Sequence, residues 1–456
     1  MHHLDVHALA SKARFNGFHR LILLLCMLII VADGYDIAVM GVALPSIMKD
    51  MGVAPTLAGS MASASVFGMM IGAVLIGSLA DRVGRRRAII ACLCVFSLGT
   101  AACGFIHEPM VFIAVRFIAG LGIGGVMPCV VAQMTEFSPK TSRASMVTAA
   151  FSGFSIGGIV AALVGKGLIE AHGWPIVFFA GAFPILLIPF LLHFMPESMA
   201  YLVTRGRSDE LRGLLLRIDP AVRIAAGDVL VSAADASSKG DERYSQTSRM
   251  FREGRALSTS MFWLASFMCL FVIYGLVAWL VKMMANAGYS LGSAITFVLV
   301  LNIGALIGSI GSGRLGDRFQ IKWVLCTLYV LAAFGIVMLS NKMSEPWLLF
   351  FIGLVGASTY GGQTLTFAYA GQFYPINLRS IGVGWTTAIG RVGAVAAPIL
   401  IGMLMTLKLP LEQNFFAIAM PTVLAAIAVT QIRTLRSDTP PTGLRNAHEP
   451  IKHLVR

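Results

Sequence analysis

Two carboxylates stand three residues apart in the run Asp33-Gly34-Tyr35-Asp36, near the middle of an apolar stretch from 21 to 48. That stretch is long enough to cross a bilayer, where a charge at the centre costs about 2.5 to 3.5 kcal/mol on insertion scales. An acid in such a position usually faces a water-filled path and handles ions or protons. On a helix both side chains lie on one face, so we interpret them as candidate proton carriers. For one of the two, a plain hydrogen bond to a neighbouring helix is the alternative.

Arg391 is the complementary charge. It is the only arginine near the middle of the apolar segments in the second half of the chain, and no acidic residue accompanies it within 381–405. A guanidinium binds a carboxylate through two parallel hydrogen bonds, so Arg391 is the leading candidate to hold an anionic substrate. A permanent ion pair with Asp33 or Asp36 is the alternative. Competition of substrate and aspartate for this one arginine would couple proton binding to carboxylate binding.

The elements that must position these charges are membrane helices. Hydrophobic residues make up 57% of the chain and charged residues only 12%, with a mean hydropathy of +0.80; soluble domains have about 25% charged residues. Twelve apolar runs are long enough to span a bilayer. They lie at 20–48, 54–80, 88–106, 109–137, 142–168, 173–195, 258–286, 290–316, 321–341, 344–374, 378–405 and 411–433.

The runs divide the chain into two six-helix halves, and we predict an all-α integral membrane protein of twelve transmembrane helices. The halves cover 1–195 and 258–433. The polar segment 196–257 between them is rich in Arg, Asp, Glu and Ser, which is typical of a solvated linker with some amphipathic helix. Residues 434–456 form a basic tail.

The distribution of basic residues predicts the orientation of the chain. The net charge of +13 could indicate nucleic-acid binding, but Lys and Arg gather in alternate loops, as the bias toward the cytoplasmic side requires. One side holds the cluster at 82–87 and most other basic residues, whereas the opposite side has only Lys49, Lys166, Lys282, Lys342 and Lys408. We therefore expect a membrane protein with a retained first helix, both termini in the cytoplasm and no nucleic-acid partner.

An internal repeat appears when the two halves are compared at an offset of 236 residues. The offset aligns glycines, prolines and charged loop residues alike: Gly68, Gly72, Gly77, Asp81, Arg82, Gly120, Gly125, Phe137, Pro139, Arg143 and Gly157 align with Gly304, Gly308, Gly313, Asp317, Arg318, Gly356, Gly361, Phe373, Pro375, Arg379 and Gly393. Such a duplication implies two parallel halves related by an axis along the membrane normal, with a substrate site between them near the midplane.

The loop at 77–87, which reads GSLADRVGRRR, resembles the cytoplasmic signature of the major facilitator superfamily, and 313–318 is its degenerate copy. The resemblance implies the major facilitator fold with its two pseudo-symmetric halves. Glycines allow close helix approach, and Asp81 can accept hydrogen bonds from a helix end or an arginine across the seam, a contact that breaks in the other conformation. Arginines that only anchor the loop to anionic lipid are the alternative.

These residues and their repeat copies are the gating candidates. We expect Glu136, which the repeat aligns with neutral Gln372, to pair with a signature-loop arginine or with another such as Arg143; a plain interfacial salt bridge is the alternative. The full set is Gly77, Asp81, Arg82, Gly84, Arg85, Glu136, Arg143, Asp317, Arg318 and Arg379.

Within that superfamily, the sequence around Asp33 looks like the aromatic acid:proton symporters. The resemblance extends to Arg116 with the glycines that follow it, to 135–139 and to 390–393. It implies proton-coupled import of a monocyclic aromatic carboxylate such as benzoate or hydroxybenzoate, and it places Arg116 near the proton path. Transport of another organic anion, or of a sugar as the segment 196–198 hints, stays open.

Aromatic substrates are held by apolar and aromatic walls with a few polar contacts. Further substrate-binding candidates are therefore the deep polar or amphipathic residues Tyr35, Asn302, Tyr360, Gln363 and Trp385, together with Tyr274. The sequence contains no Ser/His pair, metal-ligand cluster or nucleotide-binding loop, so we expect no enzymatic activity, metal or cofactor. A non-transporting membrane sensor is the alternative from another class. The expected partners are the acid, protons and membrane lipid, with the monomer as the functional unit.

Overall fold

The computed structural model describes residues 3–220, 222, 229–231, 250–251, 254–341, 343–375, 378–407 and 409–432. The predicted tail at 434–456, most of the second half of the linker and the side chain of Asp81 lie outside this part. The helices are α1 Val6–Lys12, α2 Gly17–Asp50, α3 Pro55–Val83, α4 Arg85–Cys103, α5 Pro109–Phe137, α6 Arg143–His172, α7 Pro175–Ala180, α8 Ile188–Phe194, α9 Met199–Thr204, α10 Ser208–Ile218, α11 Ala256–Asn286, α12 Leu291–Arg318, α13 Ile321–Met338, α14 Glu345–Phe373, α15 Arg379–Thr406 and α16 Leu411–Gln431.

The helical content confirms the predicted fold class, since twelve spans are long and apolar enough to cross a membrane. Eleven spans lie on one helix each, and the sixth, Pro175–Phe194, is interrupted. There the chain runs through α7, a 3₁₀ helix at Phe183–Leu187 and α8. Pro184 and Pro189 supply no backbone N–H and lie in the first turn of the 3₁₀ helix and of α8, which favours breaks at these two points. Two three-residue strands, β1 His3–Asp5 and β2 Val229–Val231, pair in parallel and are the part of the fold that was not predicted.

Glycine contacts inside each half show that the sequence repeat is a structural repeat. A Cβ on Gly68, Gly72 or Gly120 would lie 2.2, 2.1 or 2.1 Å from the carbonyl oxygen of Phe117, Leu121 or Ser65. A Cβ on Gly304, Gly308 or Gly356 would lie 2.1 Å from that of Gly353, Ala357 or Leu301. Both members of every pair are shifted by the same 236 positions. The pairing of α3 with α5 in the first half therefore recurs as the pairing of α12 with α14 in the second.

The two halves meet tightly at one end of the bundle. The end of the bundle where α2 begins, at Gly17, is called the terminal face. The tight contacts lie at the other end, where α2 ends at Asp50, and this end is called the opposite face. Near the opposite face, Cβ atoms on three glycines would lie within 2.5 Å of a backbone carbonyl oxygen of the other half. The pairs are Gly41 with Val277, Gly59 with Pro398, and Gly402 with Pro55. Only glycine lets backbones approach this closely, so these contacts close the opposite face.

The first part of the linker forms helices with one buried apolar face. It contains α9 and α10, and Met199, Leu202, Leu211 and Leu215 are buried. The Asn16 amide nitrogen, at the start of α2, donates to the Ile218 carbonyl oxygen at 2.9 Å. Apolar residues at helical spacing on α10 gain more from packing onto the first half than from exposure.

Replacing Gly59 by leucine should prevent closure of the opposite face, because even a Cβ would lie 2.3 Å from the Pro398 carbonyl oxygen. Spin labels on exposed His172 and Glu412, one in each half, should report a longer distance in the variant by double electron–electron resonance. Gly311→Leu is the matched control, since no atom lies within 4 Å of a Cβ built there. An unchanged distance in Gly59→Leu would contradict the closure model.

Candidate functional site

One of the two aspartates of α2, Asp36, is paired within the first half. Arg116 Nη1 donates to Asp36 Oδ1 at 2.8 Å and its Nη2 to the Asp36 carbonyl oxygen at 3.2 Å. The Thr100 hydroxyl also donates to Oδ1, and the Ser65 hydroxyl to Oδ2 at 3.5 Å. Asp36 and Arg116 are each 1% exposed. A buried charge needs a partner and hydrogen bonds; the Asp36 carboxylate has three donors, whereas Arg116 Nε has no partner among the described residues. The ion pair lies wholly inside the first half.

The local sequence explains how four helices supply these groups. Gly120, one turn after Arg116 on α5, rests against the Ser65 backbone of α3. This close approach brings the Ser65 hydroxyl within reach of Asp36 on α2, and Thr100 completes the set from α4. The glycines that follow Arg116 are therefore the reason that the ion pair is enclosed.

The other aspartate has no hydrogen-bond partner. Asp33 is 0% exposed, and within the described part of the chain neither carboxylate oxygen meets a donor. Its electrostatic neighbours are Arg391 and Asp36. Buried polar groups in native proteins are nearly always hydrogen-bonded, and an ionised carboxylate without donors is costly. An exception of this kind at a seam between two halves is a functional-site candidate.

Arg391 faces this unpaired carboxyl from the second half. It is half-buried, and among the described residues its guanidinium has no hydrogen bond and no ion pair within 4.0 Å. Its electrostatic neighbours are Asp33 and Tyr274. Flanking glycines set its position, because a Cβ on Gly390 would lie 2.4 Å from the Ser266 hydroxyl of α11. The arginine is thus fixed where α15 touches α11, opposite α2.

Two further predicted residues join this cluster. Tyr360 on α14 lies in the neighbourhood of Tyr274 on α11, which in turn neighbours Arg391 and Asp33. One turn further along α14, Gln363 donates to the Ser266 hydroxyl at 3.3 Å. The structure therefore brings together Asp33, Arg391, Tyr274, Tyr360 and Gln363 from four helices.

Three predicted substrate-binding residues are engaged elsewhere. The Tyr35 hydroxyl donates to the Val177 carbonyl oxygen at 2.6 Å. Asn302 donates to its own helix at Val298 O, 2.9 Å away, and packs against Gly158. Trp385 is 39% exposed and stacks on Trp263 with ring centroids 5.7 Å apart. None of these three contacts involves Arg391 or Asp33.

A cavity lies between the halves, next to the glycine contacts of the opposite face. It contains about 290 Å³ not filled by atoms, part of it open to solvent, and both Arg116 and Tyr274 line it. The other walls are apolar or small: Ile37, Met40, Gly41, Ala62, Ser65, Val66, Val277, Ala278 and Pro398. Asp33 and Arg391 are not among the residues that line it. Among the described residues, no group of three or more His, Cys, Asp or Glu could hold a metal ion.

The gating candidates at the terminal face form a network within the first half. Glu136 accepts from Arg85, from the Ser198 hydroxyl at 3.0 and 3.1 Å, and from the Ala200 N–H at 3.2 Å. Arg143 instead donates to the Ser138 carbonyl oxygen at 3.4 Å. The signature-loop arginine is thus the partner of Glu136.

The turn of the signature loop depends on glycine and on a glutamate that sequence reasoning missed. Gly84 has φ +103°, which L side chains rarely adopt, and a Cβ there would lie 2.7 Å from the Glu197 carboxylate. Glu197 accepts from the Arg86 N–H at 3.0 Å, at the start of α4, where an anion is favoured. Glu197 belongs to the segment 196–198, whose residues hint only at a sugar transporter and give no sign of a contact with the signature loop.

The remaining gating candidates are less engaged. Gly77 lies near Pro128 of α5. The side chains of Arg82, Asp317, Arg318 and Arg379 are exposed. In the part of the chain that the structure describes, no ion pair within 4.0 Å connects the two halves at the terminal face.

Twelve membrane-spanning helices in two repeated halves, with charges at the seam, define a secondary-transporter architecture. A family model described as Major Facilitator Superfamily matches residues 26–398 and 302–455. The chain therefore belongs to this superfamily and is a multi-pass membrane transporter, not an enzyme.

Curated relatives are similar along almost the whole chain. A benzoate transport protein of Acinetobacter baylyi is 39% identical over 96% of this chain and 94% of its own. A gallate transporter of Pseudomonas putida is 33% identical over 93% and 94%, and the 4-hydroxybenzoate transporter PcaK of Pseudomonas aeruginosa is 31% identical over 93% and 95%. The predicted relationship to aromatic acid transporters is thereby confirmed.

Solved structures confirm the fold. A D-xylose-proton symporter superposes with a TM-score of 0.71 at 16% identity, over 91% of this chain and 97% of that one. An inward open form of the xylose transporter XylE from E. coli gives 0.70 at 16% identity, over 92% and 97%.

Replacing Arg116 alone should destabilise the protein more than neutralising the pair. Arg116→Gln leaves the buried Asp36 carboxylate without its charge partner, at a cost of about 3 to 5 kcal/mol. The double variant Asp36→Asn/Arg116→Gln should regain part of the lost thermal stability, measured as the apparent Tm in detergent. Glu210→Gln, which removes an exposed ion pair with Arg207, should change Tm little. A double variant less stable than Arg116→Gln would contradict the structural role.

Proposed function

We propose that the protein imports a monocyclic aromatic carboxylate, such as benzoate or hydroxybenzoate, together with protons across the bacterial inner membrane by alternating access. The observation that carries this proposal is the unpaired Asp33 carboxyl facing the unpaired Arg391 guanidinium across the seam. The aromatic acid transporters among the relatives support the substrate class. A carboxylate fits Arg391, and an aromatic ring fits the mostly apolar walls between the halves.

Coupling follows from charge compensation at Arg391. When Asp33 is ionised, it competes with the substrate carboxylate for the arginine. Protonation of Asp33 removes both the competition and the cost of an ionised acid without donors, so that Arg391 binds the substrate anion. The loaded site then contains one compensated ion pair and a neutral acid. Loss of the proton on the low-proton side restores the competition and releases the substrate.

The two aspartates have different roles in this mechanism. Asp36 is held by Arg116, Thr100 and Ser65, so its proton exchange would first have to break a buried ion pair. We assign it to positioning: it fixes α2 against α3, α4 and α5, and thereby orients Asp33, almost one turn away, toward the seam. Asp33 is the proton carrier.

With the opposite face closed, this conformation is the one from which the substrate would be released at the terminal face. Glycine contacts close the opposite face, while the described ion pairs near the terminal face stay within the first half. Because basic residues concentrate in the loops of the terminal face, this face is assigned to the cytoplasm. The closed state of the opposite face is then an inward-facing state, and opening of its glycine contacts admits substrate and protons from outside.

Uptake into proteoliposomes tests the proposal. Under an imposed pH gradient, the wild type should accumulate at least one acid from a panel of benzoate, hydroxybenzoates, vanillate and phenylpropionates. Asp33→Asn should lose gradient-driven accumulation at least tenfold but retain exchange of internal for external substrate, because the neutral amide mimics the protonated acid. Failure of every acid to accumulate would refute symport, and accumulation by Asp33→Asn would refute the carrier assignment.

Arg391→Lys should weaken substrate binding to purified protein by about tenfold or more, since an ammonium cannot reproduce the paired hydrogen bonds of a guanidinium. Arg391→Ala should remove binding altogether. Isothermal titration calorimetry with the acid that accumulates best gives the measurement. Arg379→Ala, on the same helix but exposed at the terminal face, is the control and should bind normally. Unchanged affinity in Arg391→Ala would eliminate this residue as the carboxylate ligand.

A further inference from the structure

Two buried oxygen atoms on α14 have no partner in the part of the chain that the structure describes. The Tyr360 hydroxyl and the Gln363 amide oxygen are both enclosed, and no donor or acceptor among the described residues reaches them. They lie three residues apart on α14, hence on neighbouring positions of one helix face. Buried polar atoms of this kind cost about 1 to 3 kcal/mol each when left unpaired, so their presence together calls for a ligand group.

The surroundings place this pair at the substrate site. The Gln363 amide nitrogen is anchored to the Ser266 hydroxyl, which itself rests against Gly390, the residue before Arg391. Tyr360 lies one turn before Gln363 on α14 and in the neighbourhood of Tyr274 on α11. Because the amide nitrogen is already used, the orientation of Gln363 leaves its oxygen as an acceptor. The Tyr360 hydroxyl is able to donate.

We infer that Tyr360 and Gln363 form a polar subsite that binds a hydroxyl group on the aromatic ring, while Arg391 holds the carboxylate. A phenolic hydroxyl donates one hydrogen bond and accepts another, which matches one acceptor on Gln363 and one donor on Tyr360. A hydroxylated benzoate satisfies both groups, whereas benzoate leaves both unpaired. The preferred substrate class is therefore the hydroxybenzoates. This inference rests on the proposed function and adds which aromatic acids the substrate site prefers.

The discrimination should be large, because a site built to hydrogen-bond a substrate hydroxyl rejects the analogue that lacks it. We expect purified wild-type protein to bind the best of 2-, 3- and 4-hydroxybenzoate at least tenfold more tightly than benzoate in isothermal titration calorimetry. Tyr360→Phe and Gln363→Met should each reduce this ratio to less than threefold. Both substitutions keep the side-chain volume nearly constant, and the ratio of two ligands cancels a general loss of binding.

Tyr369→Phe is the matched control. Tyr369 also has a buried hydroxyl without a partner among the described residues, but it lies nine residues further along α14, about 13 Å toward the terminal face, where its ring packs against Phe262. Its removal should leave the ratio unchanged. A wild-type ratio near one, or a ratio that survives both Tyr360→Phe and Gln363→Met, would overturn the subsite while Arg391-dependent binding still supports the proposed function. Absence of binding by every acid would refute the proposed function itself.

Discussion

A charge inside the apolar part of a membrane protein needs a partner, and in this chain two acids on one helix meet that need in opposite ways. Asp36 has an arginine and two hydroxyls from its own half. Asp33 has no donor among the described residues, and its counter-charge Arg391 belongs to the other half. The first arrangement lies within one half and needs no residue of the other. The second depends on the position of one half relative to the other, and this dependence is what a coupling mechanism needs.

The backbone contacts around these charges divide in the same way. Inside each half, glycines fix the helix pairs so closely that no Cβ would fit, and the repeat reproduces those contacts at the same offset. Between the halves, the described glycine contacts of this kind gather near the opposite face. Rigid halves and one separable seam are the mechanical requirement for alternating access. The signature-loop network of Arg85, Glu136 and Glu197 adds rigidity to the first half at the other end.

The sequence was sufficient for the fold because its signals are local. Hydropathy locates each span, and the spacing of glycines reveals the duplication without any knowledge of contacts. The difference between Asp33 and Asp36 could not be predicted, because it depends on Ser65, Thr100 and Arg116, which only the packing of three other helices brings to Asp36. Spacing alone places both acids on the same face.

Tyr35 shows a second limit of sequence reasoning. A tyrosine between two functional acids was a reasonable substrate ligand, yet its hydroxyl donates to the Val177 carbonyl oxygen. That carbonyl lies near the end of α7, where the chain changes to a 3₁₀ helix and the α-helical acceptor pattern is interrupted. Because the broken span was not predicted, nothing in the sequence indicated that the Val177 carbonyl oxygen would need a hydrogen-bond donor from another helix. Tyr360 and Gln363, by contrast, lie on an unbroken helix, α14.

The duplicated scaffold carries charges that are not duplicated. At the offset of 236 residues, Asp33, Asp36 and Arg116 correspond to Cys269, Val272 and Ile352, and Arg391 corresponds to Ser155. If the charges were duplicated too, each half would contain its own internal ion pair, like the pair of Asp36 and Arg116. Motion between the halves would then leave every ion pair intact. In the proposed mechanism, the proton-binding acid Asp33 and the substrate-binding arginine Arg391 occur once each and on different halves, so that their interaction changes whenever the halves move. On this proposal, the asymmetry of charge on a symmetric frame converts relative motion of the halves into coupled binding of a proton and a carboxylate.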